Sequence, residues 1–169
     1  SRLVGGAGRR VVNGRGNSGG ETAAGDGAGD GVEVFGVKGS GWGTGDIEPA
    51  GLPAVRLEGL RKLRALKALS DEDMVNAQRT GLLDAAAPNP SVETLLHAFL
   101  PHKFVDHTHS TAVLAVSDQP SPQRLCADVF GPRVALVPYV MPGFALARAA
   151  DRKSTRLNSS HVVIPYAVL

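Results

Sequence analysis

A single cysteine, Cys126, leaves no partner for an internal disulfide and excludes a Cys-rich zinc site. Its thiol is expected to be buried and inert, which fits a reducing cytoplasm. Long apolar runs are also missing. Nothing approaches the length of a membrane span, and the N-terminus has no basic-then-apolar signal layout. Excess charge is scarce as well. Asp151, Arg152, Lys153 and Arg156 supply the whole net charge of +2, so residues 1–150 are balanced. That removes the basic field expected of a partner for nucleic acid or for an anionic membrane. Glycine is abundant in one place only, with 18 of the 21 in the first 59 residues. Residues 19–31 are nearly all Gly, Ala, Asp, Glu and Thr. Such a stretch buries too little to offset its ordering entropy, and it is expected to be mobile by itself.

Beyond that stretch the pattern is globular. Val32-Glu33-Val34-Phe35-Gly36-Val37 alternates as a strand should, and Pro49 and Pro53 bracket an extended connection. Leu57, Leu60, Leu63, Leu66 and Leu69 predict one amphipathic helix with its charges in solvent. Ser70-Asp71-Glu72-Asp73 has capping-box form and predicts a helix running to about Thr80. After a loop over residues 85–90, a helix starting at Ser91 should turn Val92, Leu95, Leu96 and Phe99 inward and stop before Pro101. Residues 104–106 read as a buried strand, 111–116 as a helix or second strand, and 134–140 as a further strand. Strands and helices alternate, so the fold class is α/β, with strand direction left open by pattern alone.

Two stretches carry chemistry. His107 and His109, two apart on a strand, point to one face and can reach one ion together. Neutral imidazole suits zinc, although a catalytic zinc usually has three protein ligands, so two histidines are an incomplete set. Asp106 beside them can orient an imidazole or act as a cap. Glu93 lies near a helix start, where a carboxylate is tolerated whether or not it has a function. His97 and His102 match no motif and read as a helix-face and a loop histidine. Tyr139 reads as a core residue, with a place in the site as its alternative.

Pro90-Ser91-Val92-Glu93 followed by His107-Thr108-His109 resembles the metal-dependent class II aldolase/adducin family. Lys38-Gly39-Ser40-Gly41-Trp42, the run from Ile47 to Leu57, and Val137-Pro138-Tyr139-Val140-Met141-Pro142-Gly143 extend the likeness over residues 32–150. Within that family, the likeness leans toward the rhamnulose-1-phosphate aldolase half of bifunctional aldolase/dehydrogenase proteins.

The resemblance implies a layered α/β/α sandwich around a mainly antiparallel sheet, here incomplete. It implies zinc held by His107 and His109, with Glu93 as the acid/base that moves a proton at the carbon beside a ketose carbonyl. That role calls for a Glu93 pKa raised by a closed, apolar setting. It also implies a phosphate cradle of Gly16, Asn17, Ser18, Ser40, Gly41 and Ser91. Gly19 and Glu21 stand where the family has Ser and Lys, and both changes oppose phosphate binding. The implied reaction is cleavage of a ketose 1-phosphate, such as rhamnulose 1-phosphate, to dihydroxyacetone phosphate and lactaldehyde. Two other uses of the fold remain open: a non-catalytic adducin-like interaction module, and a pentulose-phosphate epimerase or dehydratase on the same metal site.

The chain divides into a divergent Gly-rich segment, 1–31, a partial aldolase-like domain, 32–150, and a tail, 151–169. The tail resembles the in-frame translation of a DNA-sequencing adapter and is kept out of functional reasoning, His161 included. With no initiating Met and no third family histidine, the chain is expected to be a fragment of a cytoplasmic homo-oligomer. Alone it is expected to bind zinc weakly, to cleave little and to need no nucleotide.

Overall fold

The alternating valines form a strand because every second side chain meets the core. In the computed structural model, which describes residues 16–157 and 161–163, that strand is β2, Gly31–Val37. Val34, Phe35 and Val37 are buried on it. It pairs antiparallel with β1, Gly16–Gly25, and with the short β3, Ala54–Arg56. β1 pairs on its other side with β4, Phe104–Thr108. The resulting sheet is open and antiparallel, in the order β3-β2-β1-β4, with β3 and β4 at its edges. A separate parallel pair joins β5, Val134–Leu136, to β6, His161–Val163. The α/β class with a mainly antiparallel sheet is the expected one.

β1 corrects the expectation of mobility for residues 19–31. Its backbone is hydrogen-bonded along both edges, to β2 and to β4, so the strand needs little apolar surface of its own. Gly19 allows a close approach: a Cβ there would lie 2.3 Å from Phe35 Cε1, inside the ring that covers the strand. The tip between β1 and β2 is closed locally by Asp26, whose carboxylate accepts from the Ala28 and Asp30 amides. Residues 1–15 of the divergent segment, with Ser1-Arg2-Leu3 and Gly14-Arg15, lie outside the described residues, as do 158–160 and 164–169.

Among the described residues, six α-helices accompany the strands. α1, Leu57–Lys62, ends early and passes into a 3₁₀ turn at Leu63–Ala65. The expected single helix through Leu69 fails because leucines three apart drift about 60° per step around a helix with 3.6 residues per turn. Leu57 and Leu60 are buried, but Leu66 has rotated into solvent. α2, Asp71–Thr80, is the predicted capped helix, and Ser70 Oγ accepts from the Asp73 amide at 3.1 Å. α3, Thr94–Phe99, is shorter than expected. Its core face, Leu95, Leu96 and Phe99, is as predicted, but Val92 sits in the preceding turn and is exposed.

α4, Thr111–Ser117, settles the helix-or-strand ambiguity at 111–116. α5, Pro122–Phe130, went unpredicted; it carries buried Cys126, whose thiol pKa is pushed up by burial. Strand structure at 134–140 is limited to β5. α6, Phe144–Leu157, runs through the boundary set at Ala150; Arg64 binds the Asp151 carboxylate and Ser154 is buried. Its first residue, Phe144, meets Phe99 edge-on at 6.3 Å, joining α6 to α3 over the central core. β4 departs from expectation in one respect. As an edge strand it leaves Phe104 73% exposed. Among the described residues, no helix is long and apolar enough to cross a membrane.

Candidate active site

Cross-strand register begins the site. β1 and β4 pair with Asn17 opposite His107, so the two side chains lie on one face of the sheet. The turn preceding α3 brings Glu93 to the same place. Its backbone N–H donates to Ser91 Oγ at 3.3 Å. Asn17 Nδ2 donates to Glu93 Oε2 at 2.6 Å and to Ser91 Oγ at 3.3 Å, although more than seventy residues separate them in sequence. His107 Nδ1 stands 3.0 Å from the same Glu93 oxygen.

A carboxylate only accepts, so Nδ1 carries the hydrogen, and in the neutral ring Nε2 would keep its lone pair. His109 follows the end of β4 with its ring centroid 4.9 Å from that of His107. Glu93 and both imidazoles line a small cavity of about 70 Å³, walled by Leu96, Tyr139 and Pro142. Asp106, on the other side of the pleat from His107, is exposed.

The electrostatics differ from expectation in one respect. Burial pushes the Glu93 carboxyl upward, but the His107 hydrogen bond and the charges of His107, His97 and His109 outweigh it. The net result is a pKa below the ordinary carboxylate value. The expected rise toward neutrality is therefore not found: the apolar wall is present, but the His107 hydrogen bond and the nearby imidazoles favour the ionised carboxylate. Glu93 is ionised at rest.

His97 also differs from its expected place. It is fully buried against Phe35, ring centroids 5.9 Å apart, one helical turn beyond Glu93. Burial, and after it the nearby His107, lower its pKa to about 4; Glu93 and the Val105 backbone oppose this. Val105 comes near the ring without forming a hydrogen bond, and neither ring nitrogen has a partner among the described residues.

The two imidazoles suit a divalent metal in donor chemistry. With Nδ1 of His107 held by a carboxylate, Nε2 is the lone pair free for a cation, an arrangement common around ligating histidines. Among the described residues, no group of three His, Cys, Asp or Glu forms a metal-holding cluster, so the pair fills part of a coordination shell.

The residues expected to cradle phosphate fall into three groups. Asn17 is 3% exposed and committed to Ser91 and Glu93, a geometry that orients the carboxylate. Ser40 and Gly41 lie on a loop pinned beside Ser91: Ser40 N–H donates to Asn89 O at 2.7 Å, and Ser91 N–H to Lys38 O at 3.1 Å. Gly41 takes φ +88° there, a conformation suited to glycine. Gly16 and Ser18 flank Asn17 on β1, opposite Thr108 and Asp106. Glu21, whose charge was expected to oppose phosphate, is paired with Arg61 of α1 at 2.6 Å.

Of two further residues at the site, sequence reasoning placed Tyr139 in the core with a site role as the alternative, and passed over Lys38. Tyr139, expected in the core, is 43% exposed and lines the cavity; its place between Pro138 and Pro142, in a stretch too constrained to continue β5, was the available signal. Lys38 is the other. Its ammonium donates to Trp42 O at 2.9 Å, and burial lowers its pKa against the pull of Glu93.

Comparison with known proteins bears on this geometry. A family model described as the class II aldolase and adducin N-terminal domain matches residues 13–165. A curated protein of Bacillus subtilis (strain 168), the uncharacterized oxidoreductase YuxG, is 38% identical over 149 residues; the match takes in 88% of this chain and 22% of that protein. This chain therefore spans about a fifth of that relative's length. The structure of the N-terminal class II aldolase domain of a conserved protein from Thermoplasma acidophilum superposes with a TM-score of 0.83 at 36% identity, covering 89% of this chain and 70% of that one. YgbL from Escherichia coli, described as a candidate aldolase/epimerase/decarboxylase, superposes at 0.54 with 20% identity, covering 93% and 67%. At that identity the likeness is one of fold.

Proposed function

The chain belongs to the class II aldolase and adducin N-terminal domain family, and from that premise we propose that it is the lyase domain of a zinc-dependent sugar-phosphate aldolase. The substrate we assign is a ketose 1-phosphate such as rhamnulose 1-phosphate, which would yield dihydroxyacetone phosphate and lactaldehyde. One observation carries the reading: a half-buried carboxylate, held by Asn17 and His107, shares a cavity with a second imidazole. An interaction module would have no use for a desolvated Glu93 hydrogen-bonded by two neighbours.

His107 and His109 would hold the metal, which supplies Lewis-acid stabilisation of negative charge on the ketose oxygens. The protein's own residues do the rest. In the direction of carbon–carbon bond formation, Glu93 begins ionised and accepts the proton from the hydroxymethyl carbon of dihydroxyacetone phosphate. In cleavage it returns that proton to the same carbon. Asn17 keeps the accepting oxygen in place, and Leu96 and Pro142 exclude water from it. Ser91, Ser40 and Gly41, on the pinned loop, are assigned to the phosphate. Residues 151–169, read as a non-native tail, are given no part in this chemistry, since the residues lining the Glu93 cavity end at Leu146. A cytoplasmic homo-oligomer belongs to the same reading.

Product analysis with rhamnulose 1-phosphate tests it. With zinc in large excess, because two imidazoles bind it weakly, the chain should release two three-carbon products at a low rate, as expected of a fragment. Glu93→Gln should lower the rate by about 10²–10⁴ with the fold intact by circular dichroism, and chelation should abolish it. An epimer in place of two fragments, or full activity in Glu93→Gln, would refute the proposal.

A further inference from the structure

A second cavity, of about 560 Å³, abuts the one at Glu93: Leu96, His107, Thr108 and Leu114 line both. Glu93, His109 and Tyr139 line only the smaller one, so the larger has no part in the chemistry assigned above. Its volume falls within the range of small-molecule sites. Of the residues lining it, only Val162 lies in the tail beyond residue 150.

Two side chains in its wall lack partners. His97 is fully buried, and neither ring nitrogen has a hydrogen-bond partner among the described residues. His102, between α3 and β4, adds a buried Nε2 in the same condition. Buried polar atoms left unpaired are costly, and both histidines line this one space. Kept neutral by burial, the His97 ring offers one N–H and one lone pair. A hydroxyl, which both donates and accepts, matches either.

The rest of the wall selects for apolar bulk and against charge. Leu100, Val113 and Phe130 are apolar, and Phe104 lines the cavity while largely exposed, a surface that a bound ring would cover. Asp106, a carboxylate in the lining, opposes an anion, and burial among aliphatic side chains opposes a cation. We propose that this cavity binds a neutral aromatic alcohol, its hydroxyl meeting the His97 ring and its own ring lying among Leu100, Phe104, Val113 and Phe130. The proposal does not rest on the aldolase reading, because neither Glu93 nor a metal is needed for it.

p-Cresol is the probe, with toluene as the analogue lacking the hydroxyl and p-methylbenzoate as the charged one. Each is titrated into the metal-free 169-residue chain, with labelled histidine, and followed by NMR. The wild type should bind p-cresol about tenfold more tightly than toluene, and p-methylbenzoate no better than toluene. The His97 ring nitrogens should shift much further with p-cresol than with toluene. His97→Phe, its fold checked by circular dichroism, should bring the ratio of p-cresol to toluene affinity close to one. Val113→Trp, at a half-buried position of α4, leaves His97 in place and should abolish binding of both by filling the cavity. Equal affinity for p-cresol and toluene, no binding of p-cresol, or unmoved His97 signals overturns the proposal. So does a preference surviving in His97→Phe, undiminished binding in Val113→Trp, or p-methylbenzoate binding as tightly as p-cresol.

Discussion

Asn17 illustrates how much rests on one side chain. Its Nδ2 is the donor that steadies Glu93 Oε2, and its Oδ1 has no partner among the described residues. A buried amide with half its capacity idle is tolerated because the other half serves a carboxylate. Asn17→Ala should therefore cost about 1.5–3 kcal/mol in urea denaturation. It should also lower the aldol rate tenfold or more, and unchanged rates would remove Asn17 from the site.

His97 makes a different prediction. Its pKa is about 4 folded against about 6.5 in an unfolded chain. The unfolded state thus takes up a proton first as pH falls. Stability from keeping this ring neutral is complete above pH 6.5 and is lost progressively as pH drops through 4. The total is roughly 3 kcal/mol. His97→Phe, which keeps the contact with Phe35, should flatten the stability curve across that window; an unchanged slope would mean that other groups set it.

Elements form here for two kinds of reason. α2 is local: Ser70 caps the Asp73 amide and three acidic residues occupy its first turn. Ser70→Ala should cost about 1 kcal/mol, read as a lower denaturation midpoint with an unchanged slope. β1 is the opposite case. Nothing in Gly-Asn-Ser-Gly-Gly-Glu-Thr-Ala-Ala-Gly favours a strand, and it forms because two neighbours each offer it a ladder. The same distinction explains what was readable: β2, α2 and α3 carry their periods in their own residues, whereas β1, and β3 at three residues long, take their structure from partners. α1 shows that a period can be present and still fail: Leu57 and Leu60 are buried, Leu63 and Leu69 only partly, and Leu66 is exposed.

Over the whole molecule, the candidate site exists only where β1, the turn before α3, and β4 converge. Residues 17, 91, 93, 107 and 109 were each picked out from short strings, and the fold brings them into one place. The sequence by itself determined the identity of these groups, the capped helix and the α/β alternation, because those depend on side-chain chemistry and on spacing within a few residues. Only the tertiary structure decided that Asn17 serves Glu93, that three imidazoles pull the Glu93 pKa below its ordinary value, and that Tyr139 faces the cavity. Apart from His97, four residues from Glu93, each depends on distances across more than a dozen intervening residues, set by strand register and by which face of an element meets its neighbour. No local pattern encodes those distances.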